Sequence, residues 1–190
     1  MTAFGLEPLT PLDKLIRDLR FKKVIPLIGS GTTLLDVGCG YDANFLNLLS
    51  GRIKRGIGID FSISRDLTFP SNLKLVEHNS HKLPLPSSSV DVATMLAVIE
   101  HIMTPLPLLS EIKRVLRPHG KLVLTTPSPR AKYLLEILAK LHLINRKEIL
   151  DHKNYYHPRD LHNILKQTGL RDVELHKFEL GLNTLIIGTK

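Results

Sequence analysis

The chain has no tryptophan and a single cysteine in 190 residues. One thiol excludes an internal disulfide framework, and a reducing cytoplasm is the natural setting for such a chain. Aromatic side chains make up 5% of the sequence, which argues against a base-stacking surface for nucleic acid. No apolar run approaches the ~20 residues that span a bilayer. The opening MTAFGLEPLTPLDK has neither the basic nor the apolar part of an export segment. Internal repeats and low-complexity linkers are also missing, so the simplest organisation is one domain, 1–190, with its own core. Acidic residues are the minority: 18 Asp and Glu against 26 Lys and Arg give a formal charge of +8. That balance favours phosphates and anionic head groups as neighbours without requiring them.

What the chain does have is a strand, glycine turn and helix start from Leu34 to Phe45, LLDVGCGYDANF. Leu34, Leu35 and Val37 read as a strand buried on both faces. Gly38, Cys39 and Gly40 let the backbone turn sharply and approach a ligand, because a Cβ at either glycine would obstruct it. Asp42 is placed to cap a helix from Ala43 to Leu49 that Gly51 stops. Such a corner binds nucleotides at the helix N-terminus. Asp36, two residues before the first glycine, adds a carboxylate at the strand's carboxyl end. The Cys39 thiol, among glycine and apolar neighbours, reads as structural.

Around this corner the pattern alternates. Met1 to Leu9 reads as a frayed end, and residues 10–29 as a helical segment started by Thr10, Pro11 and Asp13. Arg55–Asp60, Leu73–Val76, Val90–Leu96 and Lys121–Thr125 are further strands. Thr104 and Pro105 start a helix with Leu108, Leu109, Ile112, Val115 and Leu116 as its apolar residues. Asp60 stands 24 residues after Asp36, the interval at which a nucleotide fold places an acid on the ribose. Beyond Pro127 come an apolar helix from Ala131 to Ile144, a polar stretch Asp151–His157 (DHKNYYH) and a helix from Pro158 to Thr168. Two antiparallel strands, Val173–Leu180 and Leu185–Thr189, close the chain. Alternating strands and helices predict an α/β fold with a mostly parallel sheet covered on both faces.

Four stretches in this order resemble the class I S-adenosylmethionine-dependent methyltransferases, of the small-molecule type found in ubiquinone and menaquinone biosynthesis. They are LLDVGCG, GIGIDFS (Gly56–Ser62), LPLPSSSVDVATMLAVIEH (Leu83–His101) and LRPHGKLVLTTPSP (Leu116–Pro129). The resemblance implies a Rossmann-like, doubly wound sheet of seven strands with an antiparallel C-terminal strand. It implies S-adenosylmethionine at the strands' carboxyl ends, with Gly38, Cys39 and Gly40 beneath the methionine end and Asp36 helping to hold its ammonium. Asp60 would accept from the ribose hydroxyls, and Phe61 would lie near the adenine. Asn79, Ser80 and His81 would stand around the adenine edge, and Leu96 and Ala97 would flank the cofactor through backbone. Two departures stand out. Asp42 replaces a glycine that many members carry. Ala97 replaces the first acid by which some quinone-methylating relatives bind a metal through Glu-His, so no metal is expected.

Gly38, Gly40 and Ala43 also satisfy the G-x-G-x-x-A pattern of nicotinamide oxidoreductases, against which Asp36, the proline-serine loop and the closing strand pair favour methyl transfer. Methyl transfer to a hydroxyl calls for a base; His101 is the first candidate and His152 the second. The acceptor is expected to be a small molecule or a lipid- or sugar-linked group. Nucleic-acid bases are not expected, since Ala97-Val-Ile-Glu100 stands where DNA amino-methylating enzymes have a proline-aromatic motif. Residues 128–160 read as a substrate-covering insertion. Its apolar helix, among Arg130, Lys132, Arg146 and Lys147, is read as a lid on its own site or against a second subunit of a homodimer. Peripheral contact with a membrane is the competing reading. A protein that binds the cofactor without turnover is the second functional hypothesis.

Overall fold

The computed structural model describes residues 9–190, so the expectation for the first eight residues lies outside them. Helix α1 (Pro11–Val24) starts where the sequence places it. The Thr10 hydroxyl accepts the Asp13 N–H at 3.1 Å, and the Asp13 carboxylate accepts the Thr10 N–H at 3.1 Å. This reciprocal cap satisfies two donors that a helix start leaves open.

Seven strands follow: β1 (Thr33–Val37), β2 (Arg55–Asp60), β3 (Leu73–Glu77), β4 (Val90–Leu96), β5 (Leu116–Pro127), β6 (Arg171–Phe178) and β7 (Asn183–Thr189). Their order across the sheet is β3-β2-β1-β4-β5-β7-β6. The pairs from β3 through β5 are parallel, and β7 runs antiparallel to both β5 and β6. The expected seven-stranded, mostly parallel sheet is thus present, its reversed strand inserted one place in from the edge. Alternation along the strands sends Leu35, Val37, Ile57 and Ile59 to one buried layer. Leu34 goes to the other, with Phe45, Leu46 and Ile53. Helices α2 (Asn44–Leu49), α3 (Leu106–Val115), α4 (Ala131–Lys140), α5 (Arg146–Leu150) and α6 (Pro158–Gln167) complete the fold. Among the described residues no helix is long and apolar enough to cross a membrane.

Local details differ from the sequence reading. Asp42 does not cap α2: Ala43 occupies the cap position in a left-handed conformation (φ 44°, ψ 41°), with no side-chain cap. The Ala43 N–H closes a turn on the Gly40 carbonyl at 3.2 Å, and this leaves Asp42 exposed. Thr104 does not cap α3 either; that place falls to Pro105, again with no side-chain bond. The helix expected from Ala131 to Ile144 breaks at His142, whose φ of 57° ends it. A second helix, α5, then starts from the Asn145 side chain, which accepts the Lys147 and Glu148 N–H groups. The fifth strand is longer than expected. It starts at Leu116 opposite Val90 and resumes at Lys121 opposite Val92, so Arg117–Gly120 forms an irregular step inside the strand.

Candidate functional site

Sheet order reverses beside β1, with β2 on one side and β4 on the other. Open parallel sheets bind ligands at the carboxyl ends of strands on either side of such a point. The glycine turn fills this corner. Gly38 and Cys39 both donate N–H to the Ile59 carbonyl, at 2.8 and 3.2 Å. Gly40 donates to Asp60 Oδ2 at 2.8 Å. Both glycines take positive φ, 73° and 77°, and differ in what surrounds them. A Cβ on Gly38 would overlap the Val98 side chain, whereas one on Gly40 would meet nothing within 4 Å among the described residues. Gly38 is therefore a packing glycine, and Gly40 borders open space.

Two carboxylates share this corner. Asp36 is in register with Gly58, so Asp60, two residues on, projects from the same sheet face. Asp36 is 2% exposed. Its Oδ1 accepts the Thr94 hydroxyl at 2.6 Å. Burial pushes Asp36 up to about 7, Thr94 opposing the rise and the Asp60 charge adding to it. Asp60 is raised as well, chiefly by burial, against N–H groups from Gly40, Phe61 and Ser62 that favour its charged form. Burial likewise raises the Cys39 thiol, in keeping with a structural residue.

The remaining candidates line the same edge. Phe61 follows Asp60 with its ring exposed. Asn79, Ser80 and His81 form the exposed turn after β3, where His78 donates its N–H to the Asp60 carbonyl at 2.8 Å. Leu96 and Ala97 end β4 half-buried; Ala97 has φ 55° and donates its N–H to Thr125 O at 2.9 Å.

A second group lies beyond β4. His101 Nδ1 is 3.1 Å from Asp151 Oδ2. Its ring meets that of His152 edge-on, with centroids 4.8 Å apart. His152 Nδ1 is 2.8 Å from the Tyr155 hydroxyl. Lys153 and Asn154 donate backbone N–H to the Glu100 carbonyl at 2.8 and 3.0 Å, and this ties the DHKNYYH stretch to the end of β4. Against the cost of partial burial, the Lys153 ammonium and His101 hold Asp151 below the usual carboxylate range. Burial, with His101 and Arg20 nearby, pulls His152 down to about 4, so it stays neutral at physiological pH. The Tyr155 hydroxyl is pushed up to about 12, mainly by burial, and stays protonated.

Glu100 is buried and raised above its usual range by that burial. Its Oε2 accepts the Thr126 hydroxyl at 3.0 Å, while Oε1 has no hydrogen-bond partner among the described residues. Glu100, His101 and His152 each offer a ligand atom within 4.8 Å of the others, the spacing of a cation site. The Arg20 guanidinium acts on both Glu100 and His152 and already brings positive charge to this corner.

Residues 12–175 match the family model described as "Methyltransferase domain". The chain belongs to the S-adenosylmethionine-dependent methyltransferases. Among its relatives, a probable S-adenosylmethionine-dependent methyltransferase of Mycolicibacterium smegmatis is 32% identical over 52% of the chain and 39% of its own length. A demethylmenaquinone methyltransferase of Bacillus licheniformis is 26% identical over 86% of the chain and 81% of its own. The chain shares the fold of an Archaeoglobus fulgidus methyltransferase structure, with a TM-score of 0.70 at 22% identity over 93% and 94% of the two chains. It spans well under half the length of the two curated relatives that match it at 37% and 32% identity: 30% and 39%.

The family's cofactor, S-adenosylmethionine, fits what stands at the glycine turn. Gly40 leaves room beside the backbone for a ligand, and two carboxylates on adjacent strands suit its cationic and hydroxyl-bearing ends. Three residues at the site escaped the sequence reading in the roles they hold. Thr94 is the Asp36 partner, and a threonine within an apolar strand was the available signal. Asp151 was noted only as one of a polar cluster, not as the partner of His101. Arg20 is one of several bases on α1, and its sequence neighbours give no sign that it faces Glu100 and His152.

Proposed function

We propose that the chain moves a methyl group from S-adenosylmethionine to a hydroxyl of a small, lipid-linked or sugar-linked acceptor, with His101 as general base and Asp151 as its positioning residue. The observation that carries this reading is the 3.1 Å contact between His101 Nδ1 and Asp151 Oδ2. A carboxylate at Nδ1 holds the proton there, fixes the ring plane and leaves Nε2 as the basic nitrogen. His152 stays neutral and walls one side of the His101 ring; it is a contact for the acceptor rather than a second charge.

Bound S-adenosylmethionine supplies a methyl group on a cationic sulfur. The protein's part is to bind, orient and keep water out. Asp60 takes the ribose hydroxyls and Asp36 the ammonium, while Gly38, Cys39 and Gly40 carry the backbone beneath. Phe61, Asn79, Ser80 and His81 border the adenine, and Leu96 and Ala97 lie along the cofactor. Removing the acceptor's proton contributes about 10²- to 10⁴-fold.

The test is a labelled-methyl assay over polar and lipid fractions of a cell extract. His101→Ala is expected to lower labelling by about 10²- to 10⁴-fold while cofactor binding persists. Asp151→Asn is expected to shift the acid limb of the pH profile. Labelling that is unchanged in His101→Ala removes the base from the mechanism. Cofactor binding with no labelled product from any fraction makes the protein a silent binder.

A further inference from the structure

The segment between β5 and α6 carries an apolar face with no partner among the described residues. Tyr133 and Ile137 of α4 and Leu141 just past its end recur at four-residue spacing and are 73%, 54% and 62% exposed. Leu134, Leu143 and Leu150 of the same segment are exposed as well, and α4 and α5 are in contact. Ala131 and Ala139 of α4 are buried and Leu135 and Leu138 are half-buried, so the helix rests on the molecule by that side and turns Tyr133, Leu134 and Ile137 outward.

The exposed charges of this segment have one sign. Residues 130–150 hold five bases, Arg130, Lys132, Lys140, Arg146 and Lys147, and two acids, Glu136 and Glu148. All five bases are exposed and both acids are half-buried. The face also adjoins the second group at the site. The Lys132 ammonium lies 5.9 Å from the centre of the Tyr155 ring, and Tyr155 in turn contacts His152.

We propose that α4 and α5 dock this face on an anionic lipid surface. Large apolar and aromatic side chains flanked by Lys and Arg suit the boundary between acyl chains and head groups, where long basic side chains reach up to phosphate. A protein partner fits less well, because the cores of protein interfaces are depleted of Lys. A second copy fits worse still: a two-fold contact through this patch would set five bases against five. The inference stands apart from the acceptor chemistry above, since vesicle binding is read without methyl transfer.

The experiment is flotation of the full chain with phosphatidylcholine vesicles, with and without phosphatidylglycerol. Binding is expected only when the anionic lipid is present, and it should fall as salt rises. Each base near an anionic surface is worth roughly fivefold in partitioning, so Lys140→Glu with Arg146→Glu should lower binding by at least roughly tenfold. Ile137→Ser with Leu141→Ser should lower it comparably, with S-adenosylmethionine binding retained as the folding control. Equal binding to neutral vesicles overturns the proposal, as does no binding to anionic ones. So does a lipid-free dimer that the Ile137→Ser, Leu141→Ser variant dissociates.

Discussion

The Thr94 hydroxyl stands between Asp36 Oδ1, at 2.6 Å, and the Leu35 carbonyl, at 3.2 Å. It has one proton for two acceptors. With Asp36 protonated, the acid donates to Thr94 and Thr94 donates to Leu35, so every group is satisfied. An ionised Asp36 competes with the carbonyl for that one proton, which fits a carboxyl raised to about 7 by burial.

Stability should therefore depend on pH through Asp36. The folded carboxyl titrates at about 7 against 3.8 when solvated, so the folded state holds the proton longer. Its contribution is complete below about 4 and is lost as pH rises through about 7. The gap corresponds to at most roughly 4 kcal/mol. Asp36→Asn should flatten this part of the profile and raise the urea midpoint above neutral pH. A midpoint that varies with pH as in the parent would show that Asp36 does not carry the proton.

Cofactor binding should draw on the same proton. An ammonium beside Asp36 favours its ionised form, so S-adenosylmethionine should bind more tightly as pH rises through about 7. Calorimetry in buffers of different ionisation enthalpy should detect proton release below that pH and none well above it. Asp36→Asn should show no release at either.

The two turn glycines should fail differently. Gly38→Ala meets Val98 and adds backbone strain, so a loss of about 2–4 kcal/mol in stability is expected. Val98→Ala in the same chain should restore part of it. Gly40→Ala pays only the strain of about 1–2 kcal/mol, and its methyl enters the space assigned to the cofactor. Its signature is weakened S-adenosylmethionine binding in a folded protein. Urea melts beside calorimetry separate the two patterns.

Asp60 both faces the expected ribose and braces the turn, accepting from Gly40 at 2.8 Å and from Phe61 at 2.7 Å. Asp60→Ala should weaken cofactor binding by about 1.5–3 kcal/mol, the range for hydrogen bonds to a charged group. Unchanged affinity in a folded variant would take Asp60 off the ribose.

Arg114 clamps the proline-serine loop ahead of β4. It donates to the Leu83 and Leu85 carbonyls at 3.1 and 2.9 Å, and Glu111, which pairs with it, accepts the Leu83 N–H at 3.0 Å. Both side chains are partly solvated, so Arg114→Met should cost only about 1–2 kcal/mol. Hydrogen exchange should quicken at Leu83 and Leu85 and stay unchanged in β1.

Much of this was legible in the chain because it is local. The run LLDVGCG, the acid closing GIGID and the alternation of strands with helices each depend on neighbours in sequence. Conformations set by the turn were not legible: Ala43 takes a left-handed cap because Gly40 closes on it, and Asp42 then has no helix end to reach. Pairings across the fold were equally hidden. His101 was visible as a candidate base, whereas its contact with Asp151, 50 positions away, depends on how Lys153 and Asn154 anchor to Glu100. No periodicity encodes such a contact.

β7 separates β6 from the rest of the sheet, and its position sets an order of assembly. As the chain leaves the ribosome, β6 emerges with no strand to pair with, and the flank of β5 stays open until some dozen further residues have been made. Closure is thus a late, long-range event, of the kind that slows folding and leaves sticky edges exposed meanwhile. A nascent chain stalled before Asn183 should be the form most in need of a chaperone.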